Sequence, residues 1–212
     1  GLQKEFIHDI WNHFNPYTCE KYKDDPVFVM TEIINENDLF SKPNFTVEPY
    51  TSQFREMFAA WLSENGIEFD AANCDLTAND GVLSDFKVHV ERKYFREMRD
   101  YMISIGVKIP ITGTNWFFND ALTSAHTEMD FMDTHDWRWN DHCTRLDSLT
   151  DQEDCDLARI LRERVDGLPF FVSEWDMPWP NPCRAESPLL FAAAGSYQDW
   201  SGFAIHTYAY TT

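Results

Sequence analysis

The later half of the chain alternates between short apolar runs and helix-like stretches, and this alternation constrains the fold more than any other feature. VKIPITGT (107–114), FMDTH (131–135), PFFVSEW (169–175) and GFAIHTY (202–208) are short and rich in β-branched and aromatic residues, which predicts strands. Between them DALTSAHTEM, DQEDCDLARILRERV and PLLFAAAGSYQDW read as helices. Thr150 and Glu153 make a capping box for the second of these, and Gly167 stops it. Strands separated by helices run parallel through right-handed crossovers, so the sequence predicts an α/β fold.

The earlier half continues the pattern. Residues 3–14 place Phe6, Ile7, Ile10, Trp11 and Phe14 near helical spacing, and Asn15-Pro16 ends the run. VFVMTEII (27–34) is apolar, β-branched and too short for a helix, which predicts a buried strand. Phe54, Met57, Phe58, Trp61 and Leu62 form a helical stripe within 49–65, closed by Gly66. An acidic loop over 67–83 leads to a long helix from about Ser84, which Gly106 ends. Trp11 and Trp61 lie on the apolar stripes and are expected in the core. No repeat or linker divides the 212 residues, so one domain, or part of one, is expected.

Composition narrows the function classes. Seventeen basic against 36 acidic residues leave a formal charge of −19, a field that repels phosphate backbones and anionic lipid. Nucleic acid and membrane surfaces are therefore not expected partners. None of the 8 glycines forms a G-x-G, so dinucleotide and phosphate-loop fingerprints are absent. Cys19, Cys74, Cys143, Cys155 and Cys183 make no C-x-x-C. Ser196 follows Gly195 but lacks the second glycine of a nucleophile elbow. Eight tryptophans beside many carboxylates fit carbohydrate handling, although core packing uses the same residues.

In parallel α/β folds the working residues sit at the carboxyl ends of strands. Those ends read Asn35-Glu36-Asn37, Thr114-Asn115-Trp116, His135-Asp136-Trp137, Glu174-Trp175-Asp176 and His206-Thr207-Tyr208. Two of them carry a Glu, and two carboxylates facing one cleft are the equipment for glycoside hydrolysis. Glu32 shares the strand parity of Glu36 one turn deeper, which suits a hydrogen-bonded structural carboxylate. His135 is a candidate to hydrogen-bond substrate or a catalytic carboxylate. Its nearness to His142 and Cys143 matches no zinc spacing, so no metal is expected.

The order of these ends resembles the clan A glycoside hydrolases, the (β/α)8 TIM-barrel retaining glycosidases that include family 5 cellulases and mannanases. TEIINEN resembles the fourth-strand motif and FFVSEWD the seventh. NPYTCEKYKDDP and EWDMPWPNPCRAESPLLFAAAGSYQDW look like a bacterial cellulase-like branch. The resemblance implies Glu36 as acid/base and Glu174 as nucleophile of a retaining β-glycosidase acting on oligo- or polysaccharide. It implies substrate binding by Asn35, His135, Trp137, Trp175, Trp179 and Tyr208 and no cofactor; it leaves the location unknown, leaning to a secreted or cell-surface bacterial protein.

It also implies that only the portion from the third helix to the eighth strand is present. A helical insertion is then expected at about 38–83, between the fourth strand and the fourth helix. Five strands cannot close a barrel, so the missing strands are expected from the rest of a longer polypeptide or from another segment. The sequence IHTYAY departs from the Trp that many clan members place after the eighth strand, which leaves Tyr208 or His206 to stand in. The rival readings are a non-catalytic carbohydrate-binding barrel and a metal-dependent barrel hydrolase.

Overall fold

A computed structural model describes residues 1–41, 45, 47–79, 81–116, 119–137, 148–151, 156–177 and 179–207. The chain opens with helix α1 (Leu2–Trp11), which ends three residues before the expected boundary. Phe14 instead joins Asn15 as strand β1, paired antiparallel with β2 (Glu20–Lys21). The turn between them is closed by the Cys19 N–H donating to the Asn15 carbonyl at 2.8 Å, with Cys19 at φ 61°.

Strand β3 covers only Thr31–Glu32 of the expected 27–34. It pairs parallel with β4 (Ile111–Thr112), itself shorter than the expected 107–114. Val27 and Val29 are 71% and 66% exposed, against the expectation of a buried strand. Among the described residues no strand pairs on the far side of β3. Two helices lie between these strands: α2 (Tyr50–Glu64) and α3 (Gly81–Ser104). Phe54, Phe58 and Leu62 of α2 pack with Leu83 and Phe86 of α3 into one apolar cluster, while Trp61 is only partly buried at its margin.

Helix α4 (Asp120–His126) starts on Asn119, whose side chain accepts the Leu122 N–H. Then come β5 (Met132–Trp137), α5 (Asp156–Glu163), β6 (Phe170–Asp176), α6 (Glu186–Gln198) and β7 (Gly202–Ile205). The expected capping box cannot be placed, because Glu153 lies outside the described residues. Strands β5, β6 and β7 form a parallel three-stranded sheet in that order.

The β3–β4 pair meets this sheet along a seam. There the Asp130 N–H donates to the Ile111 carbonyl at 3.1 Å, and the Thr112 hydroxyl to the Phe131 carbonyl at 2.9 Å. The spatial order is thus β3, β4, β5, β6, β7, all parallel, with no closed barrel among the described residues. Outer helices cover the apolar face in two clusters. Ile7, Trp11, Phe95, Met98 and Met102 pack under β3 and β4, and Ile160, Phe191 and Ala194 pack under β5 and β6. Strand β7 leaves Phe203 and Ile205 36% and 52% exposed at the other edge.

Candidate active site

Strand ends converge because parallel strands point the same way, and here they bring two carboxylates to one imidazole. Glu36 follows β3 with φ 45°, a left-handed backbone that a side-chain-bearing residue adopts only when its surroundings hold it. Those surroundings belong to the end of β4. The Asn115 side-chain oxygen accepts the Glu36 N–H at 2.9 Å, and the Thr114 hydroxyl accepts the Asn37 N–H at 3.2 Å. The other end of the Asn115 amide donates to Glu32. One buried Asn therefore ties together the strand that carries both glutamates.

Strand β6 supplies Glu174 through a bulge. Thr134 pairs with Val172 but His135 pairs with Glu174, so Ser173 is an extra residue on β6. A bulge of this kind breaks the two-residue alternation and re-aims side chains. Its effect is that two consecutive residues reach His135. The imidazole Nε2 lies 3.0 Å from the Ser173 hydroxyl, and Nδ1 lies 3.6 Å from Glu174 Oε2. Nδ1 also bonds Glu36 Oε1 at 2.7 Å. The bulged Ser173 N–H is taken up by Asp133 Oδ1 at 2.9 Å.

His135 is fully buried, whereas Glu36 and Glu174 each keep 24% of their side-chain surface exposed. The arrangement is thus a buried base with two solvent-reaching acids in front of it. Burial holds the imidazole below its usual range, opposed by the Glu36 hydrogen bond and the charges of Glu174 and Glu36, while His206 pulls it further down. Burial, then the charge of Glu174, pushes the Glu32 carboxyl up to about 7, with Asn115 opposing and Glu36 adding to the rise. Burial likewise pushes Asp133 up to about 7; the Ser173 hydroxyl restrains it and Glu32 adds to it.

Glu36, His135 and Glu174 offer three atoms within 4.8 Å of one another, a grouping with the size of a metal site. The spacing argues for hydrogen bonding instead. Two ligands about 2.0–2.1 Å from a tetrahedral zinc sit roughly 3.3 Å apart, and the 2.7 Å between Nδ1 and Oε1 is shorter than that. Both imidazole nitrogens already have partners.

The aromatic candidates divide. Trp175 was expected as a sugar platform, but it is 4% exposed and stacks on Phe191 of α6 at 4.5 Å. The bulge turns Glu174 to the His135 side and leaves Trp175 on the helix side, so Trp175 is a core residue. Trp179 is 74% exposed, with the Arg184 guanidinium 5.2 Å over its ring. Asn35 is exposed beside Glu36. The Trp137 side chain and all of Tyr208 lie outside the described parts, as do His142 and Cys143.

Asn115, Ser173 and Asp133 were not singled out as site residues from sequence. Asn115 stood at a predicted strand end, which was the available signal. Asp133 and Ser173 lay in the D-x-H and S-E-W stretches at the ends of predicted strands, but the bulge that aims Ser173 at His135 leaves no mark in composition.

No family model matches the chain, and no curated protein matches it. Solved structures do. An endo-1,4-β-mannanase from Rhizomucor miehei is 18% identical with a TM-score of 0.56, covering 95% of this chain and 51% of that one. A hyperthermostable endo-1,4-β-D-mannanase from Thermotoga petrophila RKU-1 is 14% identical with a TM-score of 0.59, covering 95% and 52%. A glycoside hydrolase family 5 mannosidase from Rhizomucor miehei gives 14% identity and a TM-score of 0.54, covering 95% and 44%. The chain therefore spans about half the length of the structures it matches. At these identities the likeness carries the fold: the chain has the α/β fold of part of a family 5 glycoside hydrolase.

Proposed function

We propose that the chain carries both catalytic carboxylates of a retaining β-glycoside hydrolase acting on oligo- or polysaccharide. The observation that carries this reading is the spacing of Glu36 and Glu174, which bring one carboxylate oxygen each within 4.8 Å of the other. Carboxyl groups about 5–5.5 Å apart suit retention, whereas inversion needs roughly 6.5–9.5 Å to admit a water. The pair sits at the close end, where water does not fit between acid and substrate. A carbohydrate-binding barrel without catalysis has no need to hold two carboxylates at this distance.

In this mechanism Glu174 attacks the anomeric carbon while Glu36 protonates the departing oxygen. Glu36, now a carboxylate, then takes a proton from the water that releases the sugar. His135 joins the two residues: its 2.7 Å bond fixes the Glu36 carboxyl, and its position 3.6 Å from Glu174 Oε2 keeps the nucleophile beside it. The assignment of roles follows the motif order, with Asn-Glu on the earlier strand and Ser-Glu-Trp on the later one. A bacterial cellulase-like specificity and a mannan specificity both fit this machinery, and Trp179, exposed just past the end of β6 at Asp176, offers an aromatic face to a sugar.

The outer edges belong to the same proposal. Val27 and Val29 before β3, and Ile205 on β7, face solvent where flanking strands would cover them. Further strands at those edges would complete the walls of the cleft.

The test is a pair of variants assayed on aryl β-glucosides, aryl β-mannosides and the corresponding polysaccharides. Glu174→Ala should abolish turnover, and azide should restore it by attacking from the vacated face. Glu36→Ala should spare substrates with activated leaving groups and lose the natural glycosides. Equal loss on every substrate would sink the role assignment.

A further inference from the structure

A trench runs down the outer wall between α3 and α4, and neither catalytic carboxylate lines it. Its main part holds about 1200 Å³ and is lined by Trp61, His89 and polar side chains of both helices. That exceeds the roughly 300–1,000 Å³ of a small-molecule pocket. Smaller stretches continue it, one through Asp85 and Asp120 toward Asn79, the other through Arg92 and Glu128 toward Met129. From Gly81 to Asp100 the α3 wall is about 28 Å long at the α-helical rise. We propose that this trench is a second carbohydrate site, which holds a neutral, extended polysaccharide chain outside the cleft. The choice of polymer rests on the glycosidase reading, while the trench itself uses none of the residues that carry that reading.

The chemistry of the lining selects the ligand. Three cations, Arg92, Lys93 and Arg96, face five carboxylates, so the main part is net negative and repels anions. The guanidiniums already have partners: Arg92 donates to the Ser124 hydroxyl at 2.7 Å, and Arg96 donates to Glu128. Asp85, His89, Lys93 and Asp100 are exposed, and among the described residues their side chains form no hydrogen bond. Asp85, His89 and Lys93 stand four residues apart, so acceptor, mixed group and donor follow one another along one face of α3. Such a row matches sugar hydroxyls, each of which both donates and accepts. Trp61 adds an apolar surface. Its ring lies 5.6 Å from Phe86 at the margin of the core and 6.3 Å from the His89 ring in the trench wall. An indole held between apolar core and water suits the C–H face of a sugar ring.

The fold puts the trench where a long substrate would need it. Helix α3 leads into β4 and α4 follows it, so both helices begin on the face where the strands end. One end of the trench therefore opens on the face that carries Glu36 and Glu174. At that end the Asn79 amide donates to the Phe40 carbonyl at 2.9 Å, in the loop that follows Glu36. The uncovered edges belong to β3 and β7, whereas the trench follows the two helices on either side of β4 in the chain. Strands added at those edges would leave it open.

The experiment is affinity electrophoresis of the protein through gels carrying glucomannan, a neutral β-1,4-linked polymer of glucose and mannose. Kinetics on glucomannan and on aryl β-glycosides run in parallel. Wild type and Glu174→Ala should both be retarded, because the trench does not involve the nucleophile. Trp61→Ala should weaken retardation and raise KM on glucomannan about two- to tenfold, the worth of one aromatic contact. Its kcat and its turnover of aryl glycosides should stay unchanged. Trp61 also touches the core, so the exposed pair His89→Ala with Asp100→Ala supplies a second variant, expected to act in the same direction. Should Trp61→Ala not fold, that pair decides. Retardation and KM left unchanged by the trench variants overturn the proposal, as does retardation that only Glu174→Ala removes, or a protein that glucomannan does not retard. Retardation lost in the trench variants of a protein inactive on every glycoside keeps the site and removes the glycosidase reading. Unchanged trench variants of an active enzyme remove the site and keep that reading.

Discussion

Replacing Glu91 by Gln should make the protein more stable, and only above neutral pH. Glu91 sits on α3, 4% exposed, and accepts the Leu39 N–H at 2.6 Å. Burial pushes its carboxyl up from 4.5 to about 7, with the Leu39 bond opposing and the Asp38 charge adding. A folded-state value above the unfolded one means stability that is full below pH 4.5 and is lost as pH rises through 7. A separation of about 2.5 pH units is worth about 3 kcal/mol. Gln keeps an oxygen for Leu39, and its NH2 can meet Asp38 Oδ2, which is buried without a hydrogen-bond partner among the described residues. Urea titrations at pH 5 and pH 8 should therefore give nearly equal stabilities at the lower pH. At the higher pH the Gln variant should lead by about 2–3 kcal/mol, or roughly 5–10 °C in Tm for a chain of this size. A gap that ignores pH, or a Gln variant weaker at pH 8, would refute the reasoning.

The neighbouring residues make three more claims. Burial lowers His126 to about 4, and its Nε2 accepts the Thr114 N–H at 2.9 Å; its neutral form contributes stability above pH 6.5 that is lost as pH falls toward 4, about 3 kcal/mol, a slope His126→Gln should lack in urea titrations. A Cβ on Gly113 would lie 2.6 Å from His126 Nε2 and 2.9 Å from the Phe95 ring, so Gly113→Ala should cost about 1–3 kcal/mol in the same assay. Trp175→Ala should cost about 3–5 kcal/mol, whereas Trp179→Ala should stay within about 0.5 kcal/mol of wild type and raise KM on polysaccharide.

The strand-and-helix alternation was readable because each element is apolar on its own scale. FFVSEWD is apolar enough to announce a strand, and the stripe of Phe54, Phe58 and Leu62 a helix. Edges were not readable. The residues of VFVMTEII suit a strand buried on both faces, and whether they are covered depends on partners that no local pattern records. The positions of Glu36 and Glu174 at strand ends followed from chain order. What brought Ser173 and Glu174 to the same imidazole was the bulge, and an inserted residue in a ladder is a property of pairing between strands. The same slip decided Trp175, which alternation alone could not assign to core or cleft.

The seam between the β3–β4 pair and the three-stranded sheet has a thermodynamic consequence. Glu36 belongs to one side of it, and His135 and Glu174 to the other, while few backbone hydrogen bonds cross between them. A sugar seated between the two carboxylates would act as a clasp across that joint. Ligand occupancy and closure of the joint are then one linked equilibrium. Whatever separates the two patches ejects the sugar, and saturating sugar at a hundred times its Kd adds about 2.7 kcal/mol against separation.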